Sequence, residues 1–299
     1  MKFLKGLALS LLGFLLFLSL SIFGLALTLN YTILNPDFIV SEVDELDISS
    51  LVEEFLSEEI PQEEPYLAEV LDNTIADLEP WIKEQVNAGI YTSYDYLLGK
   101  SESLSLVISL EPVKDNLKDN LRKAILESPP LELEGASPAE IELYLDEAYS
   151  EIDEMLPPRF EFNVSSLDPE VLAQLEQARQ YIGYFQLGYK LLIGLILLLI
   201  LGIILIHRQV KRATREIGII LLTYGVLEYI AIFVTKYLAG TQLTKLDMPA
   251  QLQTLLPQLL SNFLAPLEIF SICLLVVGVA LIIVSFVYKP RQPSETEVI

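Results

Sequence analysis

Residues 191–215 read LLIGLILLLILGIILIHRQVKRATR, an apolar run that ends on His207 and passes straight into Arg208, Lys211, Arg212 and Arg215. The full run, 186–206, matches the ~20 residues needed to cross a hydrocarbon core ~30 Å thick. Short loops rich in Lys and Arg stay cytoplasmic. This one stretch therefore predicts both a membrane span and its direction.

Working outward, three more runs reach spanning length: 6–28, 217–238 and 265–288. Lys2 and Lys5 precede the first, and Lys289 and Arg291 follow the last. With four spans these basic places fall on one side, so both termini are expected in the cytoplasm of a multi-pass protein of the cell membrane. The expected organisation is a signal anchor at 1–29, an acidic extracytoplasmic domain at 30–180, and a second span at 181–206 continuous with an outer stalk helix. A basic loop at 207–216, a third span at 217–238, an outer loop at 239–264, a fourth span at 265–288 and a tail at 289–299 complete it. The first run exceeds the about 7–15 residues of a signal-peptide core, which favours an uncleaved anchor over cleavage near "FGLA" (23–26).

Composition agrees with two materials joined in one chain. The 299 residues combine a net charge of -22 with a mean hydropathy of +0.47. Residues 30–180 hold 35 of the 41 acidic residues and 8 of the 19 basic ones. The single Cys273 lies in the fourth span, so no intramolecular disulfide forms and the acidic domain must be held by packing.

Within that domain Leu67, Val70, Leu71, Ile75, Leu78, Ile82, Val86, Ile90 and Leu97 recur at helical spacing, predicting one amphipathic stripe interrupted at Pro80. "SLSLVISL" (103–110) and "RFEFNV" (159–164) read as two short strands able to pair. Between them, Val113, Leu117, Leu121 and Ile125 mark one helix, and "SPAE" (137–140) opens another with capping-box spacing. Asp168 and Pro169 cap a last helix with no strong breaker before Arg208. The fold class is thus mostly α: four transmembrane helices and a large acidic, mainly helical domain with a two-stranded β element.

Three charges inside the spans are the candidate site residues. Glu228 falls near the middle of the third span, where a carboxylate costs about 2.5–3.5 kcal/mol and faces other helices or water. It reads either as glue between helices, with Ser271 a candidate partner, or as an ion-handling carboxylate. Lys190 and Glu268 lie at similar depths near the outer ends of the second and fourth spans, and equal depth predicts that they pair. Lys236, Tyr229 and Tyr237 read as interfacial anchors, and His207 as part of the cytoplasmic anchor. The stretch 249–266, with Pro257 and Pro266, predicts a bent amphipathic helix in the outer loop.

Acidic pairs such as Glu53–Glu54, Glu58–Glu59 and Glu63–Glu64 read first as solvated faces and second as a surface for weak cation binding or a basic partner. "NYT" (30–32) and "NVS" (163–165) fit the glycosylation sequon. No P-loop, dinucleotide fingerprint, G-x-S-x-G or zinc spacing is present, and no cofactor or nucleic-acid partner is expected. The four-span layout with a large first outer loop is similar to that of claudin-like junction proteins, but their Trp and paired-Cys signature is missing. The helical domain between two spans resembles bacterial sensor ectodomains in layout, without an output domain after it. The sequence thus predicts a non-enzymatic membrane protein, sensor-like or an assembly subunit, whose partners are the bilayer and a second protein or a copy of itself. Transport through Glu228 is the alternative.

Overall fold

The computed structural model describes residues 2–46, 65–127, 129–130, 133, 135–164, 167–243 and 250–287. In chain order it has α1 (Lys2–Tyr31), α2 (Pro36–Asp44), α3 (Pro65–Leu97), β1 (Ser105–Ser109), α4 (Glu111–Glu127) and α5 (Pro138–Met155). These are followed by β2 (Arg159–Asn163), α6 (Pro169–His207), α7 (Val210–Leu243) and α8 (Ala250–Val287). The three acidic pairs, Ser165 and the tail 289–299 lie outside the described residues. The chain divides into two units, one of Met1–Asn35 with Tyr184–Ile299 and one of Pro36–Gly183.

Four helices are long and apolar enough to cross a membrane: α1, α6, α7 and α8. Their shared core joins Leu9, Leu16 and Leu20 of α1, Leu199 and Ile203 of α6, and Ile217, Leu221 and Tyr224 of α7. Phe270, Leu274 and Leu281 of α8 pack against it.

The tightest contact is between α7 and α8, and glycine makes it. A Cβ on Gly218 would lie 2.9 Å from the Gly278 carbonyl oxygen, and one on Gly225 2.8 Å from that of Ser271. Gly218 and Gly225 are seven residues apart, as are Ser271, Gly278 and Ser285, all of them buried. A strict seven-residue repeat keeps small residues on one seam of two helices in the left-handed sense, and small residues let membrane helices approach closely. Ser271 and Ser285 satisfy their hydroxyls on their own helix, donating to the Glu268 and Ile282 carbonyls at 2.8 and 2.6 Å.

In the fourth span the structure differs from expectation. The segment expected as a separate bent helix and the span itself are one helix through Pro257 and Pro266. A proline inside a membrane helix removes one hydrogen bond without ending the helix where neighbouring packing continues.

The second unit is built on α3 and α4. Val70 of α3 packs with Leu121, Ala124 and Ile125 of α4 and with Leu145 and Ile152 of α5. The expected capping box is present: the Ser137 Oγ accepts from the Glu140 N–H, and the Glu140 carboxylate accepts from the Ser137 N–H at 2.7 Å. Donation to it from the Ser137 N–H, and from the Ser137 hydroxyl at 2.8 Å, holds the Glu140 carboxyl below its usual range. Asp168 caps α6 by accepting from the Glu170 N–H at 2.9 Å, and the helix then runs 39 residues without a break. Pro80 does not divide α3 either.

Candidate functional site

The strongest site geometry is in the second unit, where α3 carries three faces. Val70, Ile75 and Leu78 are buried in the first half of the helix. A second face receives α2, through Tyr91 Oη donating to Asp37 (2.9 Å), Asn87 donating to Asp44 (3.0 Å) and Lys83 Nζ donating to the Asp44 carbonyl (3.2 Å). The bond to the Asp37 carboxylate pushes the Tyr91 hydroxyl above its usual pKa. The third face holds Trp81, Ile82, Gln85, Val86 and Gly89, and it turns toward the ribbon.

β1 and β2 pair antiparallel, with Leu106 opposite Phe162 and Ile108 opposite Phe160. Successive side chains alternate across a strand. Leu106, Ile108, Phe160 and Phe162 therefore share one face, while Ser105, Val107, Ser109, Arg159, Glu161 and Asn163 take the other. Leu106, Ile108, Leu110 and Phe160 close a groove of about 550 Å³ against the third face of α3. Its lining is apolar apart from the Gln85 amide and the Trp81 indole. Two five-residue strands cannot cover two turns of helix, so large apolar groups stay open to solvent: Phe160 is 52% exposed and Val86 38%.

The ribbon is fixed at its ends rather than by a further strand. The Val164 N–H donates to the Leu104 carbonyl, and the Leu110 N–H to that of Pro158. Gly99, with φ of +72°, turns the chain out of α3. Arg179 of α6 then holds the following loop, donating to the Ser101 carbonyl at 3.3 Å with its guanidinium 4.9 Å above the Tyr96 ring.

The four long apolar helices hold the second constellation. Glu268 does not meet Lys190; its carboxylate accepts from Lys236 Nζ at 2.5 Å, and Lys190 is exposed on α6. Lys236 and Glu268 stand on the two helices that the glycine seam brings together, and equal depth on α6 does not substitute for facing the right way. Glu228 is half-buried on α7. Ser271, the partner expected for it, is engaged by its own helix. Tyr224, one turn before it, has two polar neighbours, Glu228 and Ser21 of α1. Tyr224 Oη is wholly buried and has neither group at hydrogen-bonding geometry. Its ring is gripped edge-on by Phe17 of α1 (5.5 Å) and Phe270 of α8 (6.3 Å).

At the other end of α7, His207 Nε2 pairs with the Glu216 carboxylate and pins the two-residue turn Arg208–Gln209. Arg208 adopts φ of +54° there.

Sequence reasoning missed the groove and the α7–α8 seam. The seven-residue recurrence of Gly218 with Gly225, and of Ser271 with Gly278 and Ser285, was a readable signal for the seam. Among the described residues no group of three His, Cys, Asp or Glu side chains converges to hold a metal ion. Comparisons with protein-family models, curated proteins and solved structures return no match.

Proposed function

We propose that this chain is a non-enzymatic, multi-pass protein of the cell membrane whose acidic domain binds a partner or ligand outside the cytoplasm, as a sensor-like or assembly subunit. The observation that carries the reading is the apolar groove between α3 and the ribbon. A folded domain that leaves Phe160 and Val86 open beside a concave apolar surface has the character of a recognition site, because exposed apolar patches of this kind mark binding surfaces. The orientation rests on the basic residues: Lys2 and Lys5, the loop Arg208–Arg215, and Lys289 with Arg291 all fall on the cytoplasmic side.

Two experiments test it. For orientation, Cys273→Ser removes the one native thiol, and single cysteines are then placed as S150C and Q209C, both at exposed positions. An impermeant maleimide added outside intact cells labels S150C and spares Q209C; the opposite pattern overturns the topology. For binding, cross-linking in native membranes followed by mass spectrometry yields one stoichiometric polypeptide joined to residues 36–183. Recovery of the chain without a partner, together with an ion or proton flux abolished by Glu228→Gln, overturns the binding reading and leaves transport. The half-buried Glu228 beside the buried Tyr224 hydroxyl is what supports that second reading.

A further inference from the structure

We propose that the groove between α3 and the ribbon takes the apolar face of a basic amphipathic helix from a partner protein; the inference rests on the reading of residues 36–183 as a binding domain. Size and lining set the first requirement. From Trp81 to Gly89 the open face of α3 spans two turns, about 12 Å at 1.5 Å per residue, matching the two to three anchor side chains that a helix lays into a groove. Ile82, Val86, Leu106, Ile108 and Phe160 offer it no charged group to bind.

Charge sets the second requirement. Residues 30–180 contain 35 acidic and 8 basic residues, and every one of those 8 bases is already engaged. Lys83 meets Glu79, Lys100 meets Asp95, and Lys114 and Lys118 share Asp153. Arg122 grips Glu142, Arg159 meets Glu161, Lys123 donates to Asn120, and Arg179 holds the Ser101 carbonyl. A fatty acid or anionic lipid would bring a negative head group into this acidic domain, whose cations already have partners. A helix carrying Lys and Arg beside its apolar stripe instead suits a domain with 35 acidic and 8 basic residues, whose field draws it in.

Trp81 lines the groove and is the only tryptophan in the chain, so its emission reports on the site directly. The test uses the full chain in nanodiscs of zwitterionic lipid, titrated with a Trp-free peptide of Leu and Lys at helical spacing. The expected result is a saturable change in Trp81 emission that weakens about tenfold from low to high salt as surface charges are screened. The matching Leu/Glu peptide gives no change.

Gly89→Leu fills the groove, since a Cβ there finds Leu106 at an ordinary 3.5 Å, and it weakens the peptide at least tenfold with the circular dichroism unchanged. Phe160→Ser, at a half-open position, does the same if Gly89→Leu fails to fold. The proposal is overturned if the Leu/Glu peptide binds equally, if a fatty acid or monoacylglycerol saturates Trp81 and the Leu/Lys peptide does not, or if folded Gly89→Leu or Phe160→Ser binds unchanged. A partner cross-linked to residues 36–183 away from the groove would overturn this inference and leave the binding-domain reading standing; absence of any partner would remove both.

Discussion

Lys236 of α7 places its ammonium 2.5 Å from the carboxylate of Glu268 on α8, closing an ion pair across the two helices that pack closest. Both side chains keep about a third of their surface open, at 29% and 32%. The pair therefore holds the helices in register without full desolvation. Lys236→Met leaves Glu268 without its cation and is expected to destabilise the helical bundle by about 1–2 kcal/mol. The charge swap K236E with E268K recovers most of that loss, whereas Lys190→Met changes stability by less than about 0.5 kcal/mol. Unfolding in mixed micelles of increasing SDS fraction, followed by circular dichroism, measures all three; an equal loss from Lys190→Met would contradict the pairing.

The mistaken pairing of Lys190 with Glu268 marks where the sequence stops being legible. Depth in a membrane can be counted along a run of apolar residues, and the four spans were readable that way because each is a local property of about 20 residues. Azimuth cannot be counted. Which side of α6 Lys190 occupies depends on how Leu199 and Ile203 meet α1, a long-range outcome. The Ser137–Glu140 box and the Asp168 cap were legible for the same local reason as the spans. The groove was not, because it joins residues 81–89, 106–110 and 160, and no periodicity in one segment reports what another leaves uncovered.

Close approach of α7 and α8 leads to a second expectation. A Cβ on Gly278 would stand 2.7 Å from the Leu222 backbone nitrogen, which cannot move aside as a flexible side chain can. Gly278→Val is expected to cost about 1–3 kcal/mol or more as the helices are forced apart. Gly188→Ala and Gly194→Ala, whose Cβ positions face open space, are expected to be silent or slightly stabilising because alanine favours the helix. The same SDS titration checks the contrast, and a silent Gly278→Val would mean that the helices do not meet at this seam.

Tyr224 and Gly24 form a coupled pair. The Tyr224 hydroxyl is buried without a partner, a state that costs about 1–3 kcal/mol for a polar group. Tyr224→Phe should then preserve stability or raise it by about 1 kcal/mol, since the ring contacts with Phe17 and Phe270 remain. Gly24→Ala puts a Cβ 2.9 Å from that hydroxyl and 2.8 Å from Leu267 Cδ1 and is destabilising in the native background. Removing the hydroxyl opens space for it, so a double-mutant cycle shows Gly24→Ala to be milder by about 0.5–1 kcal/mol in the Tyr224→Phe background. Strict additivity of the two changes would place the hydroxyl elsewhere.

The contact between α4 and α5 gives a pH dependence of known sign. Asp153 accepts from Lys118 at 2.7 Å and lies 3.5 Å from the buried Lys114, and these cations, Lys118 foremost, hold its carboxyl below the usual range. A depressed carboxyl binds fewer protons in the folded chain than in the unfolded one. Its stabilisation is therefore complete above the ordinary aspartate value of about 3.9 and is lost as the pH falls through the lower folded value. Asp153→Asn should lower the thermal midpoint at pH 7, with the gap from the native chain closing below about pH 4. Lys114→Met removes the buried charge along with its need for a partner, and should stay within about 1 kcal/mol of the native chain at either pH. Ser137→Ala, which deletes the cap of α5, should cost about 1 kcal/mol. Trp81 emission during heating of the full chain reads these variants, and a gap for Asp153→Asn that widened in acid would refute the assignment of its carboxyl to Lys118 and Lys114.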